Sequence, residues 1–421
     1  MLTLKKPPMG WNSWDCYGAA VNEAQVRANA QYMAENLKEY GWEYIVVDIQ
    51  WYEPNAVSHE YNKGAKLVMD GFGRLMPAVN RFPSAADGKG FRPLAEYVHS
   101  LGLKFGIHIL RGIPRQAIRS NSPILGTNIR AAEIADFGNV CAWNGDMCGI
   151  DMSREGAQAY YDSLFALYAG WGVDYVKVDD IARPYRREEV EGIAKAIENS
   201  GRDMVLSLSP GAAPIDQAEH LSKWANLWRM TDDFWDSWEP LKKMFDYCRE
   251  WFPYVGENHF PDCDMLPLGR IRLCNSENGE NSKFTEDEQK LLMTLWAMFR
   301  SPLMFGGDMT MNDAFTLSLL QNRDLIEINQ NAWGGHEVYR KGNEIVWAAY
   351  REGHSIYLAH FNVGDEEISA EFNPAFLGVR EAVNAREIWS GEEREGITGV
   401  KSVIPPHGVR LYVLGQCEKN F

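Results

Sequence analysis

The sequence GAQAYYDSLFALYAGWGVDYVKVDD, residues 156–180, places a helical segment directly before a buried strand. The helical part is apolar and aromatic and ends in a glycine, a residue that commonly ends helices. The strand part, DYVKVDD, alternates apolar residues, but Lys177 interrupts the alternation and Asp179 and Asp180 end it. A helix followed at once by a buried strand is the repeating unit of a parallel α/β sheet.

The same unit recurs on both sides of this stretch. Residues 22–41, NEAQVRANAQYMAENLKEYG, predict a helix with Asn22 as its N-cap, Gln25 three residues on and an end at Gly41, and the strand YIVVDIQW follows. Further helix–strand pairs are FRPLAEYVHSLG with LKFGIHIL, GIAKAIENSG with RDMVLSLSP, and AEHLSKWAN with LWRMTDD. The runs PPMGWNSW, YVGENHFPDCDML and SPLMFGGDM bring the candidate strands to eight.

Eight strand–helix units favour a closed (β/α)8 TIM barrel over an open doubly wound sheet. Neither G-x-G-x-x-G nor G-x-x-x-x-G-K-[ST] occurs at a strand end, which disfavours nucleotide-binding folds. Beyond the barrel, short alternating runs separated by turn residues predict a small antiparallel β-sandwich: EIVWAAY, SIYLAHF, EISAEF and GVRLYVL. We therefore predict an α/β catalytic barrel over residues 1–330 and a C-terminal β-sandwich over residues 331–421.

Composition limits the partners of this chain. Its 421 residues carry a formal net charge of −16, which opposes binding to nucleic acid or to an anionic membrane. No apolar signal segment precedes the first strand, so we predict a cytoplasmic protein. The 7 cysteines are scattered without C-x-x-C spacing, and neither a zinc site nor a disulfide framework is expected.

Polar and aromatic residues collect at the predicted carboxyl ends of the strands, where barrel enzymes have their active sites. In chain order they are Trp14, Asp15, Asp48, Trp51, His108, Lys177, Asp179, Asp180, Ser209, Arg229, Asp232, Asp233, Asp262 and Asp264. The long segment from Arg111 to about Ile150 also follows a strand, and a connection of this length often forms a lid or a substrate wall.

Three chemistries could use such a set. Asp48, Asp179 and Asp264 could hold a divalent cation, although Lys177 and Arg229 would repel it. Lys177 could be a Schiff-base nucleophile, although a neighbouring aspartate keeps a lysine charged. A carboxylate pair could hydrolyse a glycosidic bond, with Lys177 keeping Asp179 ionised and binding a hydroxyl. Trp14 and Trp51 would then offer flat faces to a sugar, and Arg229 would reach a hydroxyl and the neighbouring acids.

The sequence resembles glycoside hydrolase family 27 in a collinear series of long motifs. They are PPMGWNSW, YIVVDIQW, DYVKVDD, LWRMTDDFWDSW, DCDML, LWAMFRSPLMFGGDM and LLQNRDLIEINQN. The resemblance runs from about residue 7 to the end of the chain. It implies a (β/α)8 barrel with a C-terminal β-sandwich and an activity among the α-galactosidases, α-N-acetylgalactosaminidases and β-L-arabinopyranosidases of that family.

The resemblance also implies roles for individual residues. Asp179 is expected to be the nucleophile and Lys177 a sugar ligand; the family spacing after Arg229 places the acid/base on Asp233, with Asp232 as the fallback. The implied sugar-binding residues also include Trp14, Asp48 and Asp264, while His108 stands where an aromatic hydroxyl is typical. The metal-free double displacement of this family needs no cofactor, and its partner is a small carbohydrate or glycoconjugate.

Two departures from the family pattern concern the substrate. Galactosidases of the family usually have a second aspartate after the residue matching Asp48, and here that residue is Ile49. Ser209 and Ala212 resemble the small pair that makes room for a 2-acetamido group, with Pro210 in place of the usual tryptophan. The cysteine that commonly follows the nucleophile motif is Ile181 here, so the family's active-site disulfide is not expected.

The predicted function is a retaining exo-glycosidase that releases a terminal α-D-galactosyl-type residue, with N-acetylation at C2 left open. A β-L-arabinopyranosidase, or another pyranoside specificity, is the alternative within this class. A non-catalytic carbohydrate-binding protein is the alternative from another class, although such a protein would not need two acids. The sequence does not fix the oligomeric state.

Overall fold

A computed structural model of the chain describes residues 2–209, 211–351 and 355–416. It divides into two compact units. The first comprises the residues up to Asp233 together with residues 256–282 and 303–313, and the second comprises residues 234–255, 283–302 and the remainder from Ala314. The predicted boundary between residues 330 and 331 stays a prediction. Within the described residues, no helix combines the length and the apolar character needed to cross a bilayer.

The first unit contains a parallel eight-stranded sheet. Its strands are β1 (Met9–Asn12), β2 (Tyr44–Val47), β3 (Lys104–Leu110), β4 (Tyr175–Asp179), β5 (Val205–Leu208), β6 (Leu227–Arg229), β7 (Phe260–Asp262) and β8 (Leu303–Phe305). They follow one another from β1 to β7, and β8 pairs with β1. Leu266, just after β7, forms a parallel bridge with Phe305, which joins the two edges of the sheet. The predicted (β/α)8 barrel is confirmed.

The helices of this unit lie between the strands, in the order that the sequence predicts. The longer ones are α1 (Glu23–Asn36), α2 (Arg92–Ser100), α3 (Ala157–Trp171), α4 (Arg187–Asn199) and α5 (Ala218–Trp224), and shorter helices lie at Trp14–Tyr17, Arg115–Arg119 and Ala131–Ile134. The predicted capping box of α1 is present, because the Asn22 side chain accepts from the Gln25 N–H and the Gln25 side chain accepts from the Asn22 N–H. The helix ends at Asn36 rather than Gly41, which instead caps a short 3-10 turn at Lys38–Tyr40.

The stretch at residues 156–180 folds as its pattern indicates. Helix α3 ends at Gly172, whose φ of 88° lies in the left-handed region that glycine adopts without strain. In β4, Val176 and Val178 are fully buried, while Lys177 and Asp179 alternate with them. Because neighbouring residues of a strand point to opposite faces, Lys177 and Asp179 share one face.

Several strands are shorter than the apolar runs that predict them. Strand β1 ends at Asn12, so Trp14 and Asp15 belong to a short helix, Trp14–Tyr17, and not to the strand end. Strand β2 ends at Val47, before Asp48. The long segment after β3 contains its own antiparallel sheet of Ile113–Pro114, Ala135–Val140 and Met147–Ile150. The segment from Arg111 to about Ile150 therefore has a regular fold of its own, and we call it the wall segment.

The second unit contains the helices α6 (Trp238–Trp251), α7 (Glu286–Phe299), α8 (Ala314–Leu320) and α9 (Arg323–Asn331). Its strands are β9 (Trp333–Lys341), β10 (Glu344–Tyr350), β11 (Ile356–Asn362), β12 (Ile368–Phe372), β13 (Val383–Glu387), β14 (Glu393–Ile397), β15 (Val400–Ile404) and β16 (Val409–Gln416). A six-stranded antiparallel sheet has the order β9-β10-β11-β16-β13-β14, and β12 pairs with β15. Buried Leu358, Phe372, Val400 and Leu414 share one core across both sheets, as in a sandwich. The predicted antiparallel domain is confirmed, with four strands that the sequence patterns did not reveal.

Candidate active site

The carboxyl ends of the barrel strands bring most of the predicted residues together. Asn12, Lys177, Ser209, Arg229 and Asp264 line one small cavity of about 20 Å³ inside the first unit. These residues come from, or directly follow, five of the eight strands. Convergence of polar groups at this end of a barrel is the arrangement of barrel active sites.

Asp48 and Lys177 form a buried ion pair on one side of the site. The Lys177 Nζ lies 2.9 Å from Asp48 Oδ2, and the Asn12 amide donates to the same oxygen at 2.7 Å. Burial acts to raise the pKa of Asp48, but the Lys177 ammonium and the hydrogen bonds outweigh burial and lower the pKa to about 2. Asp48 is therefore a fixed carboxylate that can accept hydrogen bonds from hydroxyl groups.

The contact of Lys177 differs from the one we expected. Its ammonium was predicted to keep Asp179 ionised, but its direct partner is Asp48. Burial acts to lower the pKa of Lys177, whereas the charges of Asp48, Asp179 and Asp264 raise the pKa above its ordinary value. A lysine held in its charged form does not support the Schiff-base hypothesis.

Asp179 is held by two other groups. His108 Nε2 lies 2.9 Å from Asp179 Oδ2, and the Asp180 N–H donates to Asp179 Oδ1 at 2.6 Å. His108 is fully buried, and within the described chain its Nδ1 has no hydrogen-bond partner. The two donors fix the carboxylate at the end of β4.

Asp180 faces away from Asp179 and has a supporting role. Its φ of 60° turns the chain, and its carboxylate lies 2.7 Å from Arg111 Nη2. Arg111 also pairs with the buried Glu189 at 2.8 Å, and Glu189 accepts from the Tyr161 hydroxyl at 2.6 Å. This network ties the end of β4 to the start of the wall segment.

Arg229 separates the roles of the two acids that follow β6. Its Nη2 lies 2.8 Å from Asp264 Oδ2 and 3.3 Å from Asp233 Oδ1. Asp232 instead pairs with Arg183, and both of those side chains are largely exposed. Ser209 Oγ accepts a long contact of 3.5 Å from Arg229 Nη1. The structure therefore brings Asp233 to the site and leaves Asp232 at the surface.

Carboxylates outnumber cations in this region. Burial raises the pKa of Asp264 to about 7, because the Asp233 and Asp262 charges add to the burial effect and exceed the opposing effect of Arg229. Asp262 also has a raised pKa through burial, and one of its oxygens accepts from the Asp264 N–H at 2.8 Å. Burial and neighbouring carboxylates therefore favour the protonated form of both acids.

Asn12 and Tyr61 lie near the site but were not among our predicted site residues, and Asp15 was a candidate by its position only. Asn12 binds Asp48, and a signal for it exists in the motif GWNSWD, which also contains Asp15. Asp15 is buried and within the described residues its Oδ2 has no hydrogen-bond partner; burial and the Asp264 charge raise its pKa well above the usual range. Tyr61 lies close enough to Asp179, Asp48 and Asp233 for their charges, together with burial, to raise its pKa. No sequence pattern marked Tyr61.

Trp14 and Trp51 were both predicted to offer a flat face to the sugar, and the structure places the two rings differently. Trp14 stacks on Tyr61, with ring centroids 6.2 Å apart and an interplanar angle of 18°. Trp51 was wrongly predicted as a pocket wall, because its fully buried ring packs against Phe91 and Trp171 and its indole N–H donates to the His108 carbonyl. Its place directly after a strand looked similar in the sequence, but the chain turns it into the core.

The other sequence predictions concern a metal site, the residues Ile49 and Pro210, and the cysteines. In the described parts of the chain, no group of three or more potential ligands could hold a metal ion, and Asp48 and Asp264 face the cations Lys177 and Arg229. Ile49 follows Asp48 and is buried, with its N–H donating to the Asp48 side chain at 2.8 Å. Pro210 lies outside the described residues. The described cysteines are all free thiols: Cys16, Cys141, Cys148, Cys248, Cys263 and Cys274.

Comparisons with known proteins agree with this architecture. Residues 148–331 match a family model described as alpha galactosidase A, and residues 341–414 match the alpha galactosidase C-terminal beta sandwich domain. The crystal structure of a GH27 β-L-arabinopyranosidase from Geobacillus stearothermophilus is 52% identical, covers 99% of this chain and 98% of that chain, and has a TM-score of 0.97. A variant of that enzyme was crystallised in complex with arabinose.

Curated relatives are more distant but span nearly the same length. An α-galactosidase from Coffea arabica is 29% identical over 97% of this chain and 93% of its own. An α-N-acetylgalactosaminidase from Gallus gallus is 27% identical over 81% of this chain and 75% of its own. On the strength of the barrel, the sandwich and these similarities, the chain belongs to glycoside hydrolase family 27 and is a glycoside hydrolase.

Proposed function

We propose that this enzyme is a retaining exo-glycosidase whose preferred substrate is a terminal β-L-arabinopyranoside. The observation that carries the specificity is Ile49, the buried residue directly after the fixed carboxylate Asp48. An isoleucine side chain offers no hydrogen-bond acceptor, and a polar substituent facing it would lose its hydrogen bond to water. The 52% identity to a β-L-arabinopyranosidase supports the same preference.

The difference between the candidate sugars is small and local. β-L-Arabinopyranose has the ring configuration of galactose but lacks the C6 hydroxymethyl arm. The other hydroxyl groups can still be bound by Asp48, Lys177 and Arg229, which are charged and fixed by their ion pairs. We place the C6 arm of a galactoside against Ile49, so the apolar residue costs the galactoside, but not the arabinoside, one hydrogen bond.

In the proposed mechanism, Asp179 attacks C1 while the bond from C1 to the leaving oxygen breaks, and Asp233 donates its proton to that oxygen. Asp233 then takes a proton from a water molecule whose oxygen attacks C1, and Asp179 is released. Two inversions at C1 give net retention. The contacts support these roles: Asp179 is buried and oriented by two donors, while Asp233 is half exposed and lies beside Arg229.

A second candidate is an α-D-galactosyl or N-acetyl-α-D-galactosaminyl substrate. The small residues Ser209 and Ala212 favour it, because they leave room for a 2-acetamido group. The curated relatives also include both activities.

A panel of 4-nitrophenyl glycosides distinguishes the candidates. We expect the highest kcat/KM with the β-L-arabinopyranoside, a lower value with the α-D-galactoside, and little turnover of the α-N-acetylgalactosaminide and the α-glucoside. A preference for the galactoside would reject the arabinoside proposal and leave the exo-glycosidase proposal intact. No turnover of any member would reject both.

The variant Ile49→Asp tests the role assigned to this residue. Adding an acceptor should raise the ratio of kcat/KM for the α-D-galactoside to kcat/KM for the β-L-arabinopyranoside by about 10-fold or more, since one charged hydrogen bond is worth roughly 1.5–3 kcal/mol. Ile49→Asn tests whether a neutral acceptor is sufficient, and Ile181→Val is a matched conservative change at a buried site that we do not place in the pocket. An unchanged ratio in Ile49→Asp would contradict the proposal.

A further inference from the structure

Three aromatic side chains form a continuous row that begins at the site. Trp14 stacks on Tyr61 at 6.2 Å, and the Tyr61 ring lies 5.6 Å from that of Trp143 at an interplanar angle of 43°. Trp14 follows the first barrel strand, Tyr61 lies in the connection after β2, and Trp143 belongs to the wall segment after β3. We call these three residues the aromatic row.

The aromatic row extends from the carboxylates of the site to the protein surface. Tyr61 lies within electrostatic reach of Asp48, Asp179 and Asp233. Trp143, at the other end, is 40% exposed.

The exposed end of the row is held in place by its neighbours. Asp146, three residues after Trp143, is buried, and its side chain accepts from the Gln50 amide at 2.5 Å and from the Tyr52 hydroxyl at 3.3 Å. Its N–H donates to the Asn144 side chain at 2.8 Å. The backbone around Trp143 is therefore anchored to the connection that carries Tyr61, which gives the exposed indole a defined position.

We propose that Tyr61 and Trp143 form a subsite for the leaving group, and that this subsite selects leaving groups with a flat apolar face: an aryl ring or a second pyranose. Asp233, the proposed acid, is half exposed, and its charge acts on Tyr61, so we place the leaving group at this end of the site. A ring there can stack on Trp143, whereas a methyl group is too small to reach it. The inference rests on the proposed exo-glycosidase activity but not on the identity of the terminal sugar.

The experiment compares Trp143→Ala with wild type on three β-L-arabinopyranosides: the methyl glycoside, the 4-nitrophenyl glycoside and a disaccharide with glucose as the second ring. The matching α-D-galactosides replace them if the panel shows that preference. For each substrate we compare kcat/KM of the wild type with kcat/KM of the variant. The intrinsic reactivity of the leaving group cancels in this ratio, because both enzymes act on the same substrate. We expect a loss of about 3- to 10-fold for the two ring-bearing substrates and less than about 2-fold for the methyl glycoside.

Two controls separate this subsite from a structural effect. Inhibition by free L-arabinose, or by galactose if the panel favours it, requires only the terminal-sugar pocket, so its Ki should not change in Trp143→Ala. Phe137→Ala removes another exposed aromatic of the same wall segment and should leave all three ratios near 1. Trp143→Phe, which keeps a ring, should restore part of the loss.

The outcomes assign the subsite to one leaving group or reject it. A loss with the aryl glycoside alone, or with the disaccharide alone, identifies which ring Trp143 binds. Equal losses on all three substrates, or no loss on any, would overturn the proposal. Wild-type enzyme that hydrolyses none of the glycosides would instead reject the proposed function.

Discussion

Two Asp–Asp pairs stand at the carboxyl ends of barrel strands β4 and β6, and the structure uses them in opposite ways. In the pair after β4 the first residue, Asp179, faces the site and contacts His108, while the second, Asp180, binds Arg111. In the pair after β6 the second residue, Asp233, contacts Arg229, while the first, Asp232, binds Arg183 at the surface. An identical dipeptide therefore does not reveal which acid reaches the site. The basic partner of each acid decides it.

The pair after β4 offers the largest expected effect. Asp179→Asn removes the proposed nucleophile and should lower kcat/KM for a 4-nitrophenyl glycoside by at least about 10³-fold, with the protein still folded. The matched variant Asp180→Asn keeps the nucleophile but weakens the Arg111 contact, so we expect a loss of less than about 10² and a lower thermal midpoint. Similar losses in the two variants would mean that the contacts do not distinguish the two acids.

In the pair Asp232–Asp233, substitution of the second acid should lower kcat/KM more than substitution of the first. Asp233→Asn removes the proposed acid, and kcat/KM should fall by about 10²- to 10³-fold for an alkyl glycoside, whose leaving oxygen needs a proton. With 2,4-dinitrophenolate, which leaves without protonation, the loss should be much smaller. Asp232→Asn should change either value by less than about 3-fold, since its largely exposed carboxylate pairs with Arg183 at the surface. A larger loss in Asp232→Asn than in Asp233→Asn would transfer the acid role to Asp232.

A third prediction asks whether a cation holds a buried acid in place. Lys177→Met leaves Asp48 buried without its ion-pair partner, and breaking one side of such a pair costs about 3–5 kcal/mol. We expect a lower midpoint in thermal denaturation and about a 10²-fold loss of kcat/KM. The double variant Lys177→Met/Asp48→Asn should recover much of the stability but not the activity. If it recovers neither, the pair does not account for the loss of stability.

The smallest effect concerns Asp15, a buried acid whose Oδ2 has no hydrogen-bond partner among the described residues. A carboxyl group with a raised folded-state pKa stabilises the fold at low pH, and this stabilisation is lost as pH rises above the unfolded value near 3.8. Asp15→Asn cannot ionise, so its thermal midpoint should exceed that of wild type by about 2–4 °C at pH 8, with a difference that shrinks toward pH 4.

Asp308→Asn is the matched control for that measurement. Asp308 is also buried, but its carboxylate accepts from the Thr310 N–H at 3.0 Å and from the Thr310 hydroxyl at 2.8 Å. An amide in its place should lower the midpoint. A rise of equal size in both variants would show that the effect is general to buried aspartates and not specific to Asp15.

The local patterns predicted the fold well because they report local physics. The capping box at Asn22 and the glycine after α3 depend on residues only a few positions away, and both are present. Most of the eight strands follow from short apolar runs that come directly after helical segments. Strand ends were predicted less well, since the point at which Asp48 leaves the sheet depends on its neighbours across the barrel.

The sequence predicted which residues lie at the site better than it predicted which of them contact each other. The acids, Lys177 and Arg229 were recognised from their positions, but Lys177 was assigned to Asp179 and binds Asp48. Trp51 was assigned to the pocket and lies in the core. Tyr61 was missed because its connection after β2 has no regular pattern, and its approach to the acids depends on the fold of two separate loops.

The sequence by itself determined the class of this protein: a (β/α)8 barrel with a β-sandwich, and a set of acids and cations suited to glycoside hydrolysis. Periodicity, caps and collinear motifs contain that information because they arise from contacts between near neighbours in the chain. Only the tertiary structure decided which acid of each pair reaches the site, which cation holds it and which aromatic rings meet beside it. Those outcomes depend on side chains from strands far apart in sequence, and on distances of a few ångströms that no spacing along the chain records.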